Sequence, residues 1–285
     1  MVARRLGTGP SLLVPLILLL LPTAQAGAQG TAINSFDWSG HLPAGATLTI
    51  ANFDGEIAIS PATGDVADVH GQREPGGRED IVFERIGSGS DVTVCAYVRD
   101  EGSCSMRGVH SHGDNDRTSA SFVVHVPSGV RVRGSTGDGR IDVRGVGADV
   151  DASTGDGDVS VTDVHGPVHV STGDGRVTIQ AVEGPANVMT GDGDVEVHLK
   201  SVPGGRDMHF STGNGRVSLY LPATFSGELD ATTGDGQIDS DFPLRVTGHL
   251  DPNHVRATIG SGDGGLIRVS TGDGDVELRR EQGSR

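Results

Sequence analysis

A four-residue turn, Thr-Gly-Asp-Gly, returns every 18 residues through the middle of this chain, and that period constrains the fold more than any other feature. Three units follow one another without a gap: Gly139 to Asp156, Gly157 to Asp174, and Gly175 to Asp192. Down the columns, Ile141, Val159, Val177 and Val195 share one position, and Val143, Val161, Ile179 and Val197 share the next inward one. Val146, Val164 and Val182 form a third column, Val150, Val168 and Ala186 a fourth, and Ala152, Val170 and Val188 a fifth. Between the first two columns stand Asp142, Ser160, Thr178 and Glu196, which must face outward. Alternation with a period of two means half-buried strands, and the glycine spacing excludes helix.

Each unit therefore reads as one coil holding two short strands, one after the Gly-Asp-Gly turn and one after a softer turn such as His165-Gly166-Pro167. A single coil buries too few apolar groups to offset the ordering of its backbone, so coils need neighbours and the structure grows as a one-dimensional array. The expected fold is an all-β, single-domain β-solenoid with two short strands per coil of about 18 residues. Downstream the period loosens, but the motif returns at Thr212-Gly213-Asn214-Gly215, Thr233 to Gly236, Gly262-Asp263-Gly264 and Thr271 to Gly274. Upstream, Asn52 to Ile59 reads as a diverged first coil, and Ile81–Arg85, Val92–Val98 and Ser121–Val126 alternate like strands. Residues 101–118, with Cys104 and His110, His112, Asp114 and Asp116, read as an exposed loop.

The N-terminus has its own logic. Arg4 and Arg5 precede an apolar run from Leu12 to Leu21, and Thr23-Ala24-Gln25-Ala26-Gly27-Ala28 supplies a small-x-small cleavage site. Residues 1–28 are expected to be a secretory signal peptide, because the run is far shorter than the roughly 20 residues a membrane span needs. The expected division is then 1–28 leader, 29–134 irregular N-terminal coils and cap with a disulfide loop, and 135–285 regular coils continuous with it. No transmembrane anchor is expected in the mature chain, which is placed in the periplasm or at the cell surface. In that oxidising setting Cys95 and Cys104 are expected to pair.

Losing Arg4 and Arg5 takes the formal net charge from −16 to −18. That balance argues against nucleic acid, whose affinity comes from clustered Lys and Arg, and favours cations or basic partners. The stacked acids Asp138, Asp156, Asp174 and Asp192, continued by Asn214, Asp235 and Asp273, are the candidate metal ligands. Strands stack about 4.8 Å apart, so a row of carboxylates could bridge calcium, a hard ion wanting six to eight oxygens. The competing reading is turn chemistry, with Asp binding nearby N–H groups and Gly taking a positive φ. The position after the last glycine alternates in sign, Arg140, Asp158, Arg176, Asp194, Arg216, which suits cross-strand pairing and register. Thr154, Thr172 and Thr190 close each coil at its inward corner, where a hydroxyl can bond backbone. The pattern at His110, His112, Asp114 and Asp116 reads as solvated loop rather than metal site, and calcium is the only cofactor the residues suggest. No nucleophile–base pair or gathered carboxylate site is legible, so no enzyme is expected.

The run Val126-Pro127-Ser128-Gly129-Val130 leads straight into the Thr-Gly-Asp-Gly coils, and Phe242-Pro243 precedes a closing segment from Ile259-Gly260-Ser261-Gly262 to Val276. In this layout the chain resembles the bacterial exported β-strand-repeat proteins labelled "putative adhesin", a domain of unknown function, over about residues 45 to 280. The resemblance implies a β-solenoid at the cell envelope and carries no catalytic motif. The function expected is non-enzymatic binding or adhesion to envelope glycan or surface protein. The alternatives are a scaffold that self-associates end to end through its open sheet edges, and an envelope glycan-cleaving β-helix enzyme.

Overall fold

The inward valines of each repeat sit between two facing sheets, one formed by the strand before each Gly-Asp-Gly turn and one by the strand after it. The computed structural model describes residues 34–75, 79–111, 119–202, 205–248 and 251–281; the expected leader lies outside them. Five successive coils carry the regular pairs: Arg131–Ser135 with Ile141–Arg144, Val150–Ser153 with Val159–Thr162, Val168–Thr172 with Val177–Val182, Ala186–Thr190 with Val195–Leu199, and Met208–Thr212 with Val217–Leu221. We number these coils 2 to 6. Their strands pair in parallel with the same column in each neighbour, so that Ile141 faces Val159, Val159 faces Val177 and Val177 faces Val195. The molecule is a single-domain all-β solenoid, with the valine columns fully enclosed.

Coil 1 is Thr47–Ala51 and Ile57–Pro61, the diverged coil expected from the sequence, and it pairs in parallel with coil 2. The stack thus runs on across residues 134 and 135. Between coils 1 and 2 the chain makes a long excursion that closes this end. Asp91–Val98 extends the first sheet and Ile81–Ser88 folds back on it. Ala120–Val126, Val66–Arg73 and Ser35–His41 extend the second sheet. Phe36 stacks on Phe83 at 6.0 Å and Phe83 meets Phe122 edge-on at 5.8 Å, an aromatic plug between the sheets.

The expected loop at 101–118 differs. Gly102–Ser105 and Gly108–Ser111 form a hairpin, while residues 112–118, with His112, Asp114 and Asp116, lie outside the described residues. The hairpin is fastened to Asp91–Val98 by a Cys95–Cys104 disulfide, Cα atoms 5.8 Å apart. Replacing both cysteines with serine is expected to cost about 2–3 kcal/mol. Hydrogen exchange should show residues 102–111 losing protection while coils 3 to 6 keep theirs; unchanged protection at 102–111 would contradict that role.

The largest departure from the repeat order is at the other end. Val217–Leu221 pairs with Val276–Arg280, and Met208–Thr212 with Leu266–Thr271, so the coil above coil 6 is made of residues 266–280. This is coil 7. Gly227–Thr233 and Ile238–Ser240, earlier in sequence, stack outside it as coil 8. The connecting segment returns along coil 8 as His254–Ile259, antiparallel to Gly227–Thr233, with Leu244–Val246 at the outer edge. The outermost strands here, Ile238–Ser240 and Leu244–Val246, have three residues each, and edges that short invite little further pairing.

Candidate functional site

The Thr-Gly-Asp-Gly corner is built from contacts between coils. Thr154 Oγ1 donates to the carbonyls of Gly137 and Gly139 in the coil below, both at 2.9 Å. Thr172, Thr190 and Thr212 repeat the bond, and Thr271 and Thr233 do so onto Gly215 and Gly274 at 2.9 and 2.8 Å. All are buried, so the inward-corner reading of the threonines holds. The glycines need a different explanation from the one expected: none of those in the Thr-Gly-Asp-Gly turns has a positive φ. A Cβ on Gly139, Gly157, Gly175 or Gly193 would collide with the carbonyl of the matching glycine one coil below. Close approach of backbones, not turn conformation, reserves these positions for glycine.

The candidate metal ligands Asp138, Asp156, Asp174, Asp192, Asp273 and Asp235 form one exposed column in that spatial order, with Asn214 between Asp192 and Asp273. The Oδ1 atoms of Asp54, Asp138, Asp156, Asp174 and Asp192 face the first glycine of the next turn. Two engage directly: Asp54 Oδ1 accepts from Asp138 N at 3.2 Å, and Asp192 Oδ1 from Asn214 Nδ2 at 2.6 Å. Among the described residues no three His, Cys, Asp or Glu side chains converge in a metal-holding group.

The alternating-charge column runs further than the five residues read from the sequence. In spatial order it is Arg140, Asp158, Arg176, Asp194, Arg216 and then Asp275, supplied by coil 7. Asp158 Oδ1 accepts from Arg176 N at 2.9 Å, Asp194 from Arg216 N at 3.0 Å, and Asp275 from Gln237 N at 3.0 Å. Arg176 and Arg216 also pair with Asp194 and Asp275 at 3.5 and 3.7 Å.

The outer face of the second sheet carries ion pairs toward both ends, while Ser160, Thr162, Thr178 and Gln180 in its middle coils enter none among the described residues. Arg144 grips both oxygens of Asp142 at 2.8 Å, with Arg140 also against it at 3.8 Å. Asp142, expected to face solvent, is consequently shielded beneath two arginines. His198 lies flat on Tyr220 at 4.0 Å and bridges Glu196 and Glu281, each at 2.9 Å. Arg279 joins Asp241 and Glu277, both at 3.4 Å. The hydrogen bond from Arg144 holds the Asp142 carboxyl below its ordinary range, against the opposing effect of burial. A carboxyl so lowered stabilises the fold at pH above its unfolded value of about 3.9 and loses that contribution as pH falls through the folded value. Asp142→Asn should therefore flatten the loss of stability below about pH 4 in urea melts; a wild-type acid limb left intact by the change would contradict the pairing.

The first sheet presents a different outer face. One column reads Ser135, Ser153, Ser171, Met189, Ser211, Ser270 and Thr232, and the column beside it reads Arg133, Asp151, His169, Asn187, His209, Arg268 and Asp230. The ends of the second column are paired, Arg133 with Asp151 at 3.2 Å and Asp230 with His254 at 2.8 Å. Among the described residues, His169, Asn187, His209 and Arg268 in the middle enter no ion pair. Asn187 Oδ1 accepts from His209 N at 2.9 Å, and its amide lies 3.4 Å from His169 Nε2. Burial first, and Arg268 second, push the His209 ring below the ordinary histidine range, which keeps it neutral. These four residues are separated by whole coils in the sequence and share a column only through the repeat register.

No helix among the described residues is long and apolar enough to cross a membrane. No curated protein matches the chain. Solved structures are similar to the chain at low identity, three of them as follows. A putative cell adhesion protein from Clostridium sporogenes matches at 10% identity over 87% of this chain and 100% of its own, with a TM-score of 0.38. Putative adhesins from Bacteroides fragilis and Parabacteroides merdae each match at 9% identity over 86% of this chain and 96% of their own, with TM-scores of 0.42 and 0.36. The profile of the Toastrack DUF4097 family spans residues 47–279, from coil 1 through coil 7, and the chain belongs to that family.

Proposed function

We propose that this protein is exported and acts without catalysis, binding glycan or a protein surface of the cell envelope through the outer face of its first sheet. One observation carries the reading: two parallel columns, polar but for the exposed Met189, cross this face, and His169, Asn187, His209 and Arg268 gather in the middle of it with no ion pair among the described residues to occupy them. Serine hydroxyls, an amide and a neutral imidazole offer uncharged donors and acceptors at a repeat of about 4.8 Å, which suits a hydroxylated polymer. Arg4, Arg5 and the apolar run after them support export. The test is co-sedimentation of residues 29–285 with cell envelope, in calcium and then in excess chelator. The wild-type protein should pellet, and His169→Ala with Asn187→Ala should weaken pelleting about tenfold, the effect of losing about 1.4 kcal/mol of contacts. Absence of pelleting in both buffers, or a double variant that binds normally, would overturn the proposal. Pelleting abolished by chelator would make the aspartate column a calcium site; pelleting indifferent to it leaves that column to the coil corners.

A further inference from the structure

Coil 7 comes later in the sequence than coils 6 and 8, yet it occupies the slot between them. Its bonds to coils 6 and 8 are those the regular coils make with one another: Thr271 Oγ1 onto Gly215 O at 2.9 Å below, and Gly274 O receiving Thr233 Oγ1 at 2.8 Å above. Five parallel pairs join it to coil 6 in each sheet. None of these contacts depends on which chain supplies the coil.

The tether is short and glycine-rich. Between Ile259 and Leu266 run Gly260-Ser261-Gly262-Asp263-Gly264-Gly265, crossing the start of Gly227–Thr233 to reach the far side of coil 8. Gly260 and Gly262 hold φ of 64° and 80°. The crossover is pinned by Ser226 Oγ, 2.6 Å from Asp263 Oδ1 and 2.9 Å from Ser261 Oγ. Coil 8 carries the same Thr-Gly-Asp-Gly corner as coil 7, so with coil 7 withdrawn it can close directly onto coil 6.

We propose that coil 7 is exchanged between two copies of this chain, the slot between coils 6 and 8 of one copy receiving residues 266–280 of the other. The bonds made and broken are the same, so the balance is set by the tether and by concentration. Folding in dilute solution seats coil 7 in its own chain. Folding at high concentration gives reciprocal dimers that stay together on dilution, because release requires withdrawing a coil paired on both sides.

Full-length Ser218→Cys and Glu277→Cys chains, the second carrying a mass tag, are unfolded together with the Cys95–Cys104 disulfide kept, refolded, and then oxidised. Residues 218 and 277 are direct partners across coils 6 and 7. A 218–277 heterodimer is expected, rising with refolding concentration and several-fold above a control pairing of Ser160→Cys with Glu277→Cys. Yield equal to the control at every concentration would overturn the proposal. Wild-type protein refolded at low and high concentration and then sized gives a reading free of substitutions. Dimer from the concentrated refold that persists on dilution is expected, and monomer from both would overturn the proposal.

Discussion

Val161→Asp is expected to unfold coil 3 together with its neighbours. Val161 is fully enclosed and lies between Val143 and Ile179 in the stacked column. A carboxylate there would be buried without a partner, a change that costs about 4 kcal/mol or more. A solenoid spreads that cost along the array, since each coil is held only by the coils above and below it. The control is the adjacent outward residue, Thr162→Asp, which lies between Arg144 and Gln180 and should be nearly neutral. Ser160 is a poorer control than the alternation alone suggests, because an aspartate there would lie beside the shielded carboxylate of Asp142. Thermal and urea melts of the 161 and 162 variants decide the matter. Equal stability would mean that inward and outward positions have been exchanged.

Gly175→Ala should be nearly as damaging for a different reason. Its Cβ would collide with the carbonyl of Gly157 in the coil below and crowd Thr172 Oγ1. The obstacle is backbone, which cannot move aside without parting the two coils, so a loss of at least about 3 kcal/mol is expected. In a protein of this size that corresponds to a fall in melting temperature on the order of 10 °C. Gly45→Ala supplies the contrast: φ is +84° there and nothing lies within 4 Å of the added carbon. It should cost about 1–2 kcal/mol, from backbone strain alone. If the two substitutions cost the same, close approach is not what reserves Gly175.

The parts of this fold that were legible in the sequence are those fixed by nearest-neighbour repetition. Ile141, Val159, Val177 and Val195 occupy one column because each coil copies the last, and a period of two assigns their direction. Parity likewise placed the threonines at the corner, and compartment chemistry paired Cys95 with Cys104. What escaped was what depends on long-range order. Spacing along the chain cannot say whether residues 227–240 or 266–280 lie on coil 6, since both carry the motif. One signal was present: the alternating column demands an acid after Arg216, and Asp275 satisfies it where Gln237 does not. The glycines misled because turn conformation and close approach call for the same residue, and only coordinates separate them. Asp142 alternates as an outward residue should, and its shielding comes from Arg140 and Arg144, a tertiary detail the period does not contain. The candidate binding face was hidden for a related reason. Its residues, His169, Asn187, His209 and Arg268, differ in type, so no column stands out until the strands are paired.

The order of coils is the claim from which the rest follows, and a pair of engineered disulfides tests it most directly. Ser218 is the direct partner of Glu277, and Glu277 of Asp239, so Ser218 and Asp239 stand two strands apart. One strand spacing of about 4.8 Å fits the Cα separation a disulfide accepts, and two spacings do not. In protein folded at low concentration, Ser218→Cys with Glu277→Cys should close within the chain, while Ser218→Cys with Asp239→Cys should stay reduced. Closure of the 218–239 pair in place of the 218–277 pair would mean that the coils stack in sequence order, contradicting the intercalated solenoid.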